Sequence, residues 1–532
     1  MKKIIYAALL TAMTMTACSD NAYNPGEPAP PQPTADNAVD KNVTIDITAV
    51  HQTMAGFGAS DCWMPAWIGK YWTGSRDAIS ELLFSQEIVD GQPKGIGLSM
   101  WRVNTGAGSA EQGDDSGITT VVRRAESFMT PDGSLDWEKC PGQRYFMERA
   151  KAMGVEKFVL FSNSPLVQYT YNGQARSDRG GKSNLKPEHY GDYAEYLAQV
   201  AAHFTAAGYN ITHISPINEP QWSWNGTDQE GSAWTPDESA KLFRALDGAL
   251  TAHGLSTDIL VGEAADWNFF CGDKSCDSGN TQIPSHFYEP GSSSYIGDLQ
   301  HVKPLFCGHS YWTDTEWESM RNTRRDVAST AAQYGLEVWQ SEWCMLGDGH
   351  NKDEYAGHDV CSDMDRAIYM TKVMHNDITV GNVTSWCYWV AMDYRQVNNR
   401  YLLVYLTPAG GSDGDVFAGD GTYAPAANLW AMGNFSLFVR PGFKRVDLNL
   451  TESCNFFGSA YISPDGKRVV AVYTNVGNKP VRLNETHTGF GTAASVRTYT
   501  TSVDKQLKEA VVAQGESVVL DAKSVTTVVY DL

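Results

Sequence analysis

At 532 residues the chain is too long for one small core, and with 42% hydrophobic and 19% charged residues it has the composition of a globular protein, so a large domain and a smaller one are expected. A formal charge of −21 excludes a basic surface for nucleic acid or anionic lipid head groups, and a neutral substrate fits better. The 16 Trp and 25 Tyr offer flat faces suited to sugar rings, though aromatic residues fill cores as readily.

Taken in chain order, Lys2 and Lys3, the apolar stretch Ile4 to Met15 and the small residues Thr16 and Ala17 before Cys18 read as an export signal. Met15-Thr16-Ala17-Cys18 resembles the lipobox of bacterial lipoproteins, which implies loss of residues 1–17, acylation of Cys18 and a place in the outer membrane, facing the periplasm or the cell surface. Residues 18–40, carrying Pro25, Pro28, Pro30, Pro31 and Pro33, then form a semi-extended tether. Ten cysteines less Cys18 leave nine, an odd number, so at least one thiol is free unless it pairs between chains, and a disulfide framework is not implied. Cys271 and Cys276 flank a polar loop suited to a local bridge, whereas Cys307, Cys344 and Cys387 lie in apolar runs as buried thiols. No Cys and His set has the spacing of zinc ligands, so no metal or cofactor is expected. A monomer is expected.

Residues 41–53 alternate as a strand. From 54 to 433, short apolar runs alternate with segments of helical period: Ala55 to Ser60, Gly97 to Asn104, Lys157 to Ser162, Ile211 to Ile217, Ile259 to Glu263, Leu305 to Tyr311, Glu337 to Ser341 and Thr384 to Trp389. Pro187 to Ala207 and Pro236 to His253, the second capped by Thr235, read as helices between them. Eight strands with intervening helices predict an α/β fold, a (β/α)8 TIM barrel. Residues 434–532 change to short alternating strands, among them Arg468 to Thr474 and Ser495 to Thr500, which predicts a side β-sandwich that also takes up the N-terminal strand.

A barrel of this kind places its chemistry at the C-terminal strand ends. The fourth run ends Asn218-Glu219-Pro220 and the seventh Ser341-Glu342-Trp343. Paired carboxylates there have the arrangement a retaining glycosidase needs, one protonating the leaving oxygen and one attacking the anomeric carbon. Glu219, between Asn218 and a segment with Gln221, Trp222 and Trp224, suits the acid/base, because a partly apolar wall raises a carboxyl pKa. Glu342 suits the nucleophile, with Arg102 and Tyr311 as its charge and hydrogen-bond partners. Asn218 is a candidate for the sugar 2-hydroxyl, Trp389 for the floor under the cleaved ring, and His309, Asp61, Trp63 and Trp222 for further substrate contacts.

These residues resemble glycoside hydrolase family 30. The likeness rests on Gly56-Phe57-Gly58-Ala59, Ser99-Met100-Trp101-Arg102-Val103, Asn218-Glu219-Pro220, His309-Ser310-Tyr311, Ser341-Glu342 and the Trp386 to Trp389 spacing, followed by Met432-Gly433-Asn434-Phe435-Ser436 and Phe438-Val439-Arg440-Pro441-Gly442. It implies a retaining mechanism through a covalent glycosyl-enzyme, no required metal and a β-linked oligo- or polysaccharide substrate of β-1,6-galactan, β-1,6-glucan or xylan type. One segment departs from the family pattern: Ser162-Asn163-Ser164-Pro165-Leu166 stands where many members carry Ser-Pro-Trp. Trp222, Trp224 and the Gln229-Glu230-Gly231 insertion hint at a polymer cleft. Two other readings share these residues: a glycan-binding surface lipoprotein without turnover, and an exo-acting, glucosylceramidase-like or transglycosylating enzyme.

Overall fold

The eight apolar runs form a closed parallel barrel in a computed structural model that describes residues 37–272, 274–276, 281–346, 362–394, 402–410 and 417–532. Cys18, the signal segment and most of the tether lie outside the described residues. The barrel strands are Gly56–Ser60, Met100–Asn104, Lys157–Phe161, Ile211–Ser215, Asp258–Ala264, Val302–His309, Glu337–Trp343 and Ser385–Tyr388, in sequence order around the barrel. Ser385 pairs with Gly56 to close the ring.

Both faces of these strands are covered, which is why they read as apolar runs and not as alternation. Met100, Val159, Leu260, Leu305, Cys307 and Trp339 pack with one another inside the barrel. Their neighbours of opposite parity, among them Phe158, Leu160, Val261, Phe306 and Val338, join the core beneath the helices. The helix Pro236–Ala252 starts in a capping box: the Thr235 hydroxyl accepts from the Glu238 N–H and the Glu238 carboxylate accepts from the Thr235 N–H. The segment from Pro187 opens with a tight turn, Pro187–His189, before becoming α-helical over Tyr190–Ala206, with Tyr193, Leu197, Val200 and Phe204 buried as their spacing predicts.

The C-terminal strands form one continuous nine-stranded sheet that takes in the N-terminal strand Val39–Thr53. That strand runs antiparallel to Lys444–Asn449 and parallel to Val481–Thr488. Both faces of the sheet are buried in its centre. Along Arg468–Asn475, Val469, Ala471 and Tyr473 face the sheet's own core with Val43 and Ile45, while Val470 and Val472 pack into the barrel core. The helix Ala427–Ser436, buried on every side, sits at this junction and runs through the expected division at 433–434. Its Asn434 amide donates to the Tyr499 carbonyl (2.8 Å) and to Thr527 Oγ1 (2.9 Å), fastening barrel to sheet.

Cys307, Cys344 and Cys387 are buried thiols, and Cys271 is not joined to Cys276 in a disulfide. Cys454 is disulfide-bonded. No helix among the described residues is long and apolar enough to cross a membrane.

Candidate active site

Two irregularities at the strand ends aim carboxylates into the barrel mouth. In the seventh strand the pairing register shifts between Gln340 and Glu342, so that Ser341 and Glu342 both serve the site despite adjacent positions. In the fifth the register shifts between Val261 and Ala264; Gly262 (φ +117°) and Glu263 (φ +50°) take left-handed backbone there. A Cβ at residue 262 would lie 2.5 Å from the Cys307 carbonyl oxygen, so only glycine fits. Glu219, past the end of the fourth strand, is also left-handed at φ +38°. That conformation is costly for a non-glycine residue and is held by the surroundings: the Trp222 N–H and the Trp224 indole N–H both donate to the Glu219 carbonyl, at 3.2 and 3.0 Å.

Glu219 and Glu342 face each other. One carboxylate oxygen of each, together with a ring nitrogen of His309, lies within 4.8 Å of the others. That separation is on the scale of the roughly 5 Å at which one carboxylate attacks while the other protonates the leaving group, and is too short for an intervening water. Arg102 Nη1 donates to Glu342 Oε2 (2.9 Å) and to Ser60 Oγ (3.0 Å); the Tyr311 hydroxyl donates to Glu342 Oε1 (3.1 Å). Burial pushes the Tyr311 phenol well above its usual range, so it remains a donor. Arg102 Nη2 donates to Asn218 Oδ1 (3.3 Å), and its guanidinium lies 3.6 Å over the Phe161 ring.

His309 is fully buried, with Nδ1 2.9 Å from Glu219 Oε1 and Nε2 2.9 Å from Glu263 Oε2. Both ring nitrogens are committed to carboxylates, so the cluster of Glu219, His309 and Glu342 offers a cation no imidazole lone pair. Burial alone would lower the His309 pKa, but the Glu342 charge and the hydrogen bonds to Glu219 and Glu263 outweigh it and lift it to about 10. Glu219 is raised by burial, partly offset by its bond to His309, as an acid requires.

Trp389 and Trp63 stand edge to face, centroids 5.2 Å apart, each with a small exposed portion. Trp222, half-buried, meets Phe269 and Trp312 edge-on on the Glu219 side. Asp61 is fully buried, and its oxygens accept from the Asn104 N–H (2.7 Å) and the Gln143 amide (3.0 Å), so it ties the first strand end to the second and has no oxygen left without a partner. Glu230 is likewise internal: its carboxylate accepts from the Ala107 N–H, the Ser109 N–H and the Ser109 hydroxyl. The Glu230 segment therefore clasps the loop after the second strand. Leu166, in the departing segment, belongs to the core.

Glu263 escaped the sequence reading as a site residue. Strict alternation from Leu260 puts residue 263 on the outer face of the strand; only the glycine at 262 could have signalled the bulge that turns it inward.

The model for O-glycosyl hydrolase family 30 matches residues 40–405. An endo-β-1,6-galactanase of Hypocrea rufa is 28% identical over 375 residues, covering 66% of this chain and 68% of that protein. The glucuronoxylanase XynC of Bacillus subtilis is 22% identical over 480 residues, 88% of this chain and 85% of its own. Among solved structures, a conserved exported protein from Bacteroides fragilis superposes with a TM-score of 0.83 at 28% identity, over 92% of this chain and 100% of that one. With the two facing carboxylates at the fourth and seventh strand ends and a family match over most of its length, the chain belongs to glycoside hydrolase family 30.

Proposed function

We propose that this glycoside hydrolase cleaves β-1,6-linked galactan internally, with retention of anomeric configuration. Retention is carried by the separation of Glu219 and Glu342, within 4.8 Å oxygen to oxygen. The substrate is supported by the likeness to the endo-β-1,6-galactanase, which covers two thirds of both chains. In the first step the Glu342 carboxylate attacks the anomeric carbon and Glu219 gives its proton to the departing glycosidic oxygen. In the second, Glu219 takes a proton from water, which attacks the same carbon and releases Glu342. Asn218, its Oδ1 held by Arg102, has its amide N–H groups for the sugar 2-hydroxyl. Trp389 is the apolar floor and Trp222 a wall on the leaving-group side.

The test is product analysis on β-1,6-galactan, β-1,6-glucan and glucuronoxylan. The expected result is a ladder of galacto-oligosaccharides whose reducing ends appear first as the β-anomer. Release of monosaccharide alone would indicate exo action, first appearance of the α-anomer inversion, and binding without products a glycan-binding lipoprotein.

The lipobox-like segment supports acylation at Cys18 and an outer-membrane location. Cys18→Ser should move the protein from the membrane to the soluble fraction; unchanged fractionation would refute the anchor. Sedimentation of the soluble form should give a single species of monomer mass.

A further inference from the structure

The site holds three carboxyl groups beside one arginine and one histidine, one more acid than a nucleophile and an acid/base require. Glu263 is fully buried, with Oε2 bonded to His309 Nε2 (2.9 Å) and to the Ser341 hydroxyl (2.7 Å), and Oε1 3.4 Å from Arg102 Nη2. We propose that Glu263 is a positioning residue of the reaction: it holds His309 as an imidazolium, which cannot take the Glu219 proton, and offsets the charge of that ring, which would otherwise ionise Glu219, so that Glu219 keeps its proton until the leaving oxygen takes it.

The charge balance shows why a third carboxylate is needed. With Glu219 protonated, the negative charges of Glu263 and Glu342 match the positive charges of Arg102 and His309. When Glu342 becomes an ester, its charge disappears as Glu219 gives up its proton, and the balance is unchanged. Glu263 is the constant partner in both states. The other titratable groups around the cluster include Tyr311, Cys62, Cys307, Cys344 and Cys387, all kept neutral by burial, which pushes the Cys387 thiol to about 12. Arg102, although burial opposes it, outweighs the desolvation of Glu263 and, with His309 and Ser341, brings it down to about 2, so it stays ionised. Without its charge the cluster carries one excess positive charge, and the first proton leaves the Glu219–His309 pair at lower pH.

This inference rests on the retaining mechanism above, and it has one test that needs no substrate. In the wild-type protein, histidine 15N shifts should show both His309 ring nitrogens protonated at pH 7; a neutral ring would overturn the proposal whatever the glycan. In Glu263→Gln, the alkaline limb of kcat/KM should move down by about one pH unit or more. Turnover of an unactivated glycoside should fall on the order of 100-fold and that of a dinitrophenyl glycoside, which needs no acid, by less than about 10-fold. An unmoved alkaline limb, or equal losses on the two leaving groups, would reduce Glu263 to a structural residue.

Discussion

Arg102 Nη1 lies 2.9 Å from Glu342 Oε2 with both side chains shut away from solvent. The same guanidinium reaches Ser60, Asn218 and Glu263, so one side chain from the second strand orders groups on the first, fourth, fifth and seventh. Arg102→Lys keeps the charge but loses the planar fork, and one ammonium cannot span these partners. We expect kcat/KM to fall on the order of 100-fold, as when a preorganised donor is lost. Steady-state kinetics on an aryl glycoside measures it, and retention of near-wild-type activity would contradict this role.

In the proposed mechanism Glu219, the acid/base, sets the alkaline limb of activity. Glu219 is raised above the ordinary 4.5, chiefly by burial, so its proton is present below that raised value and lost as pH rises through it. The alkaline limb of kcat/KM should therefore lie above pH 4.5 and vanish in Glu219→Ala. In that variant azide should restore turnover of an activated glycoside and yield the β-glycosyl azide.

Asp61 predicts a pH dependence of stability. Burial raises it from 3.8 to about 7, against its hydrogen bonds from Asn104 and Gln143. The folded state thus binds this proton more tightly than the unfolded chain; its contribution is fully present below pH 3.8 and is lost as pH rises through about 7. Asp61→Asn should flatten that part of the decline in thermal unfolding between pH 4 and 7, and an unchanged slope would contradict it.

Asp377 is the hub beneath the sixth and eighth strands. Its carboxylate accepts from Arg324 Nε (2.9 Å), Ser310 Oγ (2.8 Å), Trp386 Nε1 (2.9 Å) and Trp267 Nε1 (3.2 Å), all in the buried interior. Asp377→Ala leaves the Arg324 charge uncompensated and should cost about 3–5 kcal/mol. Denaturant unfolding should show that loss. Because Ser310 lies between His309 and Tyr311, kcat/KM should fall in the surviving folded fraction as well.

The barrel was legible because each strand is buried on both faces and so reads as a short apolar run, and because its chemistry lies at run ends. Glu219, Glu342, Arg102 and Tyr311 stand at those run ends, and the fold brings them together. Asp61 had the same position but points its carboxylate at Asn104 and Gln143, a difference of side-chain direction that position alone does not carry. Glu263 ends the fifth run, but alternation from Leu260 assigns it to the outer face, and the bulge at Gly262 reverses that parity. Glu230 sat in a polar loop yet turns inward to the Ser109 loop, a tertiary contact with no local signature.

The most direct test of the central assignment is covalent trapping. A 2-deoxy-2-fluoro glycoside with an activated leaving group should inactivate the enzyme by forming an ester that accumulates because its hydrolysis is slowed. Peptide mass spectrometry should place the label on Glu342, and Glu342→Gln should take up none while remaining folded. A label on Glu219 or Glu263 would contradict the assignment of nucleophile and acid/base.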